Sequence, residues 1–502
     1  MNTSSWKYKR LFEILPGAIA WTVLIVPILL SFYAPKYLAI GLLFYLTFWL
    51  TRTFFMSYRL ILGYKYFKKD IKINWFEKLK AMPPESSYRD IYHLVIVPTY
   101  KEDLQILESS IGSVINSNYD NNRVIYVLAT EERDYDRAKE YTTKLKKKYQ
   151  KALYDFVGIM HPKNLPGEII GKGPNITFAG KKMVSYFEKR KISAKNVIVT
   201  TMDADNLMDK NYLACLSYKY LTDLDPVHKS FQPLPMYFNN IWDVPMAMRL
   251  IAMGSSSWQM IVATRPSRLR NFSAHAQSLE ALIKTDFWST QSIVEDGHQF
   301  WRSYYKFNGV HEVIPMYTPI YQDAVLADNF IKTVKEQYLQ KKRWSWGVSD
   351  IPYVMEHTFK DKKIHWFDRW ANALILWEAH ISWSTASLVL VTSSWLPLVL
   401  NPDFKLTVMA FYFPLIYSRL LTIAWIGMII TLTITTMLVP TRRGKKPVER
   451  IIWDWILTPI VLPITNILFS SFPALHSQTM LMLGKKLEYR VTVKSTQRSG
   501  TQ

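Results

Sequence analysis

The chain has 502 residues, 49% hydrophobic and 20% charged, with a formal net charge of +22 and a mean hydropathy near zero. One cysteine, Cys215, excludes an internal disulfide, and the ten histidines form no HxxxH or Cys/His cluster of the kind a structural zinc needs. Nor does the positive charge point to nucleic acid: no zinc-finger or RNA-binding signature accompanies it, and much of it flanks apolar segments, where basic residues attract anionic lipid headgroups.

In chain order, Ile14–Pro35 carries no charged residue and is long enough to cross ~30 Å of hydrocarbon. Lys7, Lys9 and Arg10 precede it, as in a signal peptide, but no small-residue cleavage site follows and a second apolar stretch, Tyr37–Thr51, comes at once. The pair reads as a retained hairpin, with Arg52 snorkelling to the interface. Basic residues crowd both hairpin ends (Arg59, Lys65, Lys68 and Lys69 on the far side), while only Lys36 lies between them. The positive-inside rule therefore puts both ends, and the charged segment that follows, in the cytosol.

That segment alternates between strand and helix patterns. Tyr92–Val97 is a β-branched apolar run ended by Pro98, Leu104–Asn116 has helical spacing, and Arg123–Ala129 is a second strand. A charged helix over Tyr135–Gln150, a strand over Tyr154–Met160, a helix over Asn175–Arg190 and a strand over Asn196–Met202 follow. Such alternation predicts a parallel sheet with right-handed crossovers, whose ligands bind outside the carboxyl ends of the strands.

Those strand ends hold the chemistry. After the first come Pro98-Thr99-Tyr100-Lys101-Glu102, a break in the ladder followed by polar residues suited to a nucleotide base. Gly171-Lys172-Gly173 opens a helix, so that Lys172 and the helix N-terminus can meet a phosphate, although the Walker spacing is absent. The fourth strand ends in Asp203-Ala204-Asp205, two hard carboxylates spaced to hold Mg²⁺ or Mn²⁺ beside a diphosphate. Further on stand Val294-Glu295-Asp296 and Gln340-Lys341-Lys342-Arg343-Trp344; an Arg can pair with a pyrophosphate, and a Trp offers a flat face to a sugar ring.

Three more apolar windows close the chain: Ile381–Pro402, Leu421–Thr441 and Trp455–Leu475. The basic loop Arg442–Lys446 is expected in the cytosol, which requires two crossings before it, near 378–400 and 417–438. Pro459 and Pro463 leave the last window free to span or to dip and return, and a basic tail (Lys485, Lys486, Arg490, Lys494) favours return, so the count is five or six.

Taken in order, VIVPTYKE at Val95–Glu102, DAD at Asp203–Asp205, VED at Val294–Asp296 and QKKRW at Gln340–Trp344 resemble the family-2 glycosyltransferases, in particular membrane synthases of the cellulose and hyaluronan synthase type. The resemblance covers about residues 92–347. It implies a GT-A-like (Rossmann-like) α/β domain with a mostly parallel sheet, cytosolic and inserted between transmembrane helices of a multi-pass cell-membrane protein. The expected division is a hairpin over 1–64, the catalytic domain over 65–370, interfacial and transmembrane helices over 371–475, and a basic tail over 476–502. The resemblance further implies a nucleotide-sugar donor lined by Pro98, Tyr100, Glu102, Glu131, Lys172 and Asp203. A Mg²⁺ or Mn²⁺ ion on Asp205 and Asp203, Asp296 as general base beside Glu295, and Gln340, Arg343 and Trp344 at the acceptor and diphosphate complete the set. One base without a protein nucleophile implies single displacement with inversion. Where the family places a carboxylate pair after the second strand, this chain has Ala129 and Thr130, with Glu131 as a shifted substitute; Phe272-Ser273-Ala274-His275 likewise departs from the cellulose synthase acceptor motif. The acceptor is a polysaccharide, extended processively, or a lipid glycosylated once. A transporter or a dead scaffold is the rival of another class: transport calls for paired ionisable groups in mid-membrane, and Arg419, Glu378 and His380 all lie near window ends, while a dead domain would have lost its carboxylates.

Overall fold

The computed structural model describes residues 6–83, 87–441 and 447–489. At its centre is an eight-stranded sheet in the order β3-β2-β1-β4-β7-β6-β8-β5. The strands are β1 (Tyr92–Pro98), β2 (Val124–Glu131), β3 (Asp155–His161), β4 (Val197–Thr201), β5 (Leu207–Met208), β6 (Lys229–Met236), β7 (His275–Ser278) and β8 (Glu312–Tyr321). All eight residues of β2 and all five of β4 are buried, as parallel strands covered by helices on both faces must be. Helices Leu104–Ile115 and Tyr212–Thr222 cover one face around Val95, Tyr126 and Ile198; helix Lys172–Lys189 covers the other around Leu94, Ile125 and Val199.

The Rossmann-like half, β3-β2-β1-β4, is parallel throughout. Beyond β4 the sheet is mixed: β4–β7, β7–β6 and β8–β5 pair antiparallel, and only β6–β8 is parallel. The mostly parallel sheet expected from the sequence thus holds for one half. The second half escaped the pattern because Pro233 and Pro235 in β6 and Pro315 and Pro319 in β8 interrupt its apolar runs, and β6 and β8 absorb a register shift between Gln232 and Leu234. Strand order reverses between β1 and β4, and this switch point places a crevice outside their carboxyl ends. Pro98 does not break the ladder as expected: it pairs with Ala129, and the Thr99 N–H adds a further bond to the Ala129 carbonyl.

Among the described residues, five helices are long and apolar enough to cross a membrane: Lys9–Tyr33, Pro35–Asp70, Trp366–Thr392, Val408–Leu438 and Val448–Met482. The first two meet at Ala34, with Pro35 opening the second. The second outruns its fifteen-residue window at both ends: at 36 residues it spans about 54 Å, and its C-terminal half packs Leu60 with Met248 and Met260. Arg52 does not terminate it. Its guanidinium pairs with Glu378 of Trp366–Thr392, which also takes Arg268 at 3.3 Å, so ion pairs tie two membrane helices to the domain. The crossing expected near 378–400 ends at Thr392. The last window is one continuous run: helix Val448–Asn466, with Pro459 and Pro463 inside it, passes through a π-helical turn over Ile467–Ser471 into Phe472–Met482. Helices run across the expected boundaries at 64/65, 370/371 and 475/476. The basic loop 442–446, and Arg490 and Lys494 of the tail, lie outside the described residues.

Candidate active site

β4 ends at Thr201, and the chain turns at Asp203-Ala204-Asp205 directly above the switch point. Opposite stands the start of helix Lys172–Lys189. Its first residue does not reach for open space: the Lys172 ammonium donates to Asp203 Oδ1 at 2.8 Å and to the Ser273 carbonyl at 2.7 Å, with Glu295 Oε1 at 3.9 Å. Gly173 permits this crowding, since a Cβ there would stand 2.4 Å from the Ser289 carbonyl oxygen and 3.1 Å from Glu295 Cβ. Asp205 is buried, its carbonyl held by Asn239, which also donates to Asp323 at 3.0 Å.

Glu295 and Asp296 open helix Glu295–Lys306. The two differ in environment. Burial, reinforced by the neighbouring Asp296 charge, pushes the Glu295 carboxyl from its ordinary 4.5 up to about 8, so it keeps its proton at neutral pH. Asp296 is also raised by burial, but Lys172, the Gly297 N–H at 2.8 Å and Arg343 oppose the rise. Arg343 comes from helix Phe330–Ser345, as does Trp344, whose ring packs on Tyr237 at 5.7 Å. The Tyr237 phenol feels Asp203, Asp296, Asp205 and Arg343 together, so three distant segments converge around one ring. Gln340 sits one turn earlier and accepts from Gln337 at 3.4 Å.

The far side of the crevice is built from β1 and β2. Lys101 takes a left-handed turn (φ 69°), with its carbonyl bound by Arg137 at 2.9 Å. Behind it, Glu102 accepts from the Thr99 hydroxyl at 2.7 Å and the Tyr100 N–H, and burial pushes its carboxyl up to about 7. Glu131 closes β2, buried and bound by Arg133 Nε at 2.7 Å; the same guanidinium lies 4.3 Å over the Tyr100 ring. Thr99, Glu102, Thr130, Glu131 and Arg137 line a small cleft there. In place of an exposed Asp pair, the chain presents a Glu–Arg–Tyr unit.

Four contributors lay outside the site residues read from the sequence. Tyr237 stands in a stretch with no motif. Ser273 and His275 belong to the segment that fell short of one: the Ser273 carbonyl holds Lys172, while His275, buried and held by the Trp288 indole N–H at 3.0 Å, is pushed down to about 3 and stays neutral. Tyr489, assigned to the basic tail, packs against Gly171, lies 5.4 Å from the Arg343 guanidinium and is pushed up to about 12 by burial. A lone tyrosine far downstream offered no spacing signal.

The donor set fits a hard divalent ion. Asp203 and Asp205 supply carboxylate oxygens, and Mg²⁺ or Mn²⁺ commonly takes one or two protein carboxylates and completes its shell with phosphate and water. Among the described residues, no group of three or more His, Cys, Asp or Glu is placed to form a metal cage of its own.

No family model and no curated protein matches the sequence. Among solved structures, the chain is similar to the mannosyltransferase PcManGT from Pyrobaculum calidifontis in complex with GDP-Man and Mn²⁺, at a TM-score of 0.44 and 14% identity, covering 89% of this chain and 100% of that one. It is also similar to S. aureus TarS 1–349, at a TM-score of 0.35 and 12% identity over 79% of this chain and 92% of that one. The same TarS fragment in complex with UDP-GlcNAc gives a TM-score of 0.33 and 11% identity over 79% and 93%.

Proposed function

We propose that the chain is a membrane-integral glycosyltransferase that moves a sugar from a nucleotide-sugar donor to a polysaccharide or lipid-linked acceptor at the cytosolic face of the cell membrane. The observation that carries this reading is the cluster at the switch point of the sheet, where Lys172 joins Asp203 at 2.8 Å and stands 3.9 Å from Glu295, whose neighbour is Asp296, beside the long apolar helices. A bound Mg²⁺ or Mn²⁺ would supply charge to stabilise the leaving diphosphate.

The chain's own residues divide the remaining work. Asp205 and Asp203 hold the ion, and Lys172 fixes Asp203 in place through its 2.8 Å contact. Arg343 lends a second positive charge on the diphosphate side. Asp296 takes the acceptor hydroxyl's proton, because its neighbours Lys172 and Arg343 favour its ionised form, whereas protonated Glu295 is unsuited to be the base. With one base and no protein nucleophile, a single displacement inverts the sugar carbon. Trp344 and Tyr237 provide flat faces for the acceptor ring. On the donor side, Glu102 and Glu131 border the cleft for the base, Tyr100 packs under the Arg133 guanidinium that binds Glu131, and Pro98 ends β1 just before them.

The test incubates the purified chain with a panel of nucleotide sugars and follows nucleotide release with Mg²⁺, with Mn²⁺ and with chelator. Metal-dependent turnover that Asp205→Ala abolishes is the expected result; turnover indifferent to chelator and to that change would remove the metal assignment.

A further inference from the structure

Lys172 fixes Asp203, and a separate set of polar side chains holds Asp205. The chain turns tightly between them, with the Asn206 N–H donating to the Asp203 carbonyl at 3.0 Å. β5 starts at the next residue, where Leu207 pairs with Tyr321 at the end of β8. Asp205 thus sits between the parallel half of the sheet, which ends at Thr201 just before the turn, and the mixed half to which β5 belongs.

That mixed half grips Asp205 through two loops, which stay paired beyond the ends of β6 and β8. The Gln322 N–H donates to the Met236 carbonyl at 2.7 Å and the Asn239 N–H to the Gln322 carbonyl at 3.2 Å. Asn240 and Ala324 exchange two more bonds, at 2.9 and 2.8 Å. Zipped together, the loops bring the Asn239 amide and the Asp323 carboxylate to the turn. Asn239 Nδ2 donates to the Asp205 carbonyl at 3.2 Å and to Asp323 Oδ1 at 3.0 Å, one bond for each of its two hydrogens. Asn206, wholly buried, braces the turn from within. In the orientation that satisfies both ends of its amide, the nitrogen lies 3.3 Å from Asp205 Oδ1 and the oxygen accepts from the Asp203 N–H at 3.1 Å.

A turn that only had to close is already closed by the Asp203–Asn206 bond and the β5 pairing. The buried Asp323 carboxylate adds something else. It gives the Asn239 amide a charged acceptor, and two acceptors on one side leave that amide a single orientation, with Nδ2 toward Asp205. Such fixing is what a small divalent ion requires, because Mg²⁺ and Mn²⁺ demand near-octahedral geometry and their ligands are held by outer hydrogen bonds.

We propose that Asn239, Asp323 and Asn206 are positioning residues for the divalent ion, setting the main chain and the carboxylate of Asp205. The inference rests on the metal reading of Asp203 and Asp205 and names the groups that make it work. Tyr237, two residues before Asn239, packs on Trp344, so the same loop joins the ion to the acceptor end of the crevice.

The experiment measures Mn²⁺ affinity from the electron paramagnetic resonance signal of the free ion, on the full purified chain in detergent, with GDP, with UDP and without nucleotide. The unchanged chain should hold Mn²⁺ with one of the two diphosphates more tightly than that nucleotide does alone. Asn239→Leu keeps the volume and removes the donor, and it should weaken this affinity by about 10–100-fold. Asp323→Asn removes the charge and keeps an acceptor oxygen, so its loss should run in the same direction and be smaller. Metal-free binding of the same nucleotide and the Tm should stay close to those of the unchanged chain in both variants. Unchanged Mn²⁺ affinity in either variant would overturn the proposal, as would a loss of metal-free nucleotide binding that matched the loss of Mn²⁺ in both. An unchanged chain that held no Mn²⁺ would remove the metal reading itself, and this inference with it; full affinity in the variants alone would remove only the inference.

Discussion

The donor and acceptor sides of the crevice solve opposite electrostatic problems. Around the donor site cations meet carboxyl groups: Lys172 pairs with Asp203 beside the protonated Glu295, Arg133 pairs with Glu131, and Glu102 accepts from Thr99 and Tyr100. Around Trp344, Lys341 meets the Trp344 ring and the Ser255 hydroxyl, and Lys342 meets His476. The first arrangement fixes geometry before a ligand arrives.

The difference can be broken most sharply at the base. Asp296→Asn removes the proton acceptor while keeping the shape, and kcat should fall by about 10²–10⁴-fold; a variant that retained full kcat in nucleotide-release assays would move the base elsewhere. Next comes the self-neutralised cluster. Lys172→Met strips Asp203 of its cation, and the donor KM and kcat should both worsen, by about tenfold or more, because breaking a buried pair strands its partner. A steady-state comparison of the two parameters checks this, and an effect confined to acceptor KM would contradict it.

A smaller effect concerns pH. The folded state holds Glu295 protonated up to about 8, against 4.5 ordinarily. Its contribution is fully present below 4.5 and is lost as pH rises through about 8, because the unfolded chain releases the proton earlier. Thermal unfolding from pH 5 to 8.5 should show Tm declining, and Glu295→Gln should flatten that decline. The smallest effect is steric. Gly173→Ala forces a Cβ against the Ser289 backbone and should cost about 1–3 kcal/mol by overpacking, read as a lower Tm.

How much of this was legible beforehand varied with the physics involved. Strands β1 to β4 were readable because a parallel strand buried on both faces has to be a continuous apolar, β-branched run. Asp203, Asp205 and Asp296 stood out because their spacing and place after such runs are local properties. β6 and β8 were hidden by internal prolines, and the helix Pro35–Asp70 was cut short at Arg52 because a charge ends an apolar window even when Glu378 is waiting across the gap. Tyr237 and Tyr489 could not be found at all, since each acts through neighbours remote in sequence.

The sequence by itself determined the apolar segments, the order of the first four strands and the identity of the carboxylates, because hydrophobic periodicity and short-range spacing are written along the chain. Tertiary structure decided which charges are matched. Lys172 and Lys341 are both lysines beside an expected binding residue, yet one is enclosed by Asp203 and Glu295 and the other by Ser255 and Trp344. Coulomb energy and desolvation depend on distances through space, and those exist only once the helices have packed.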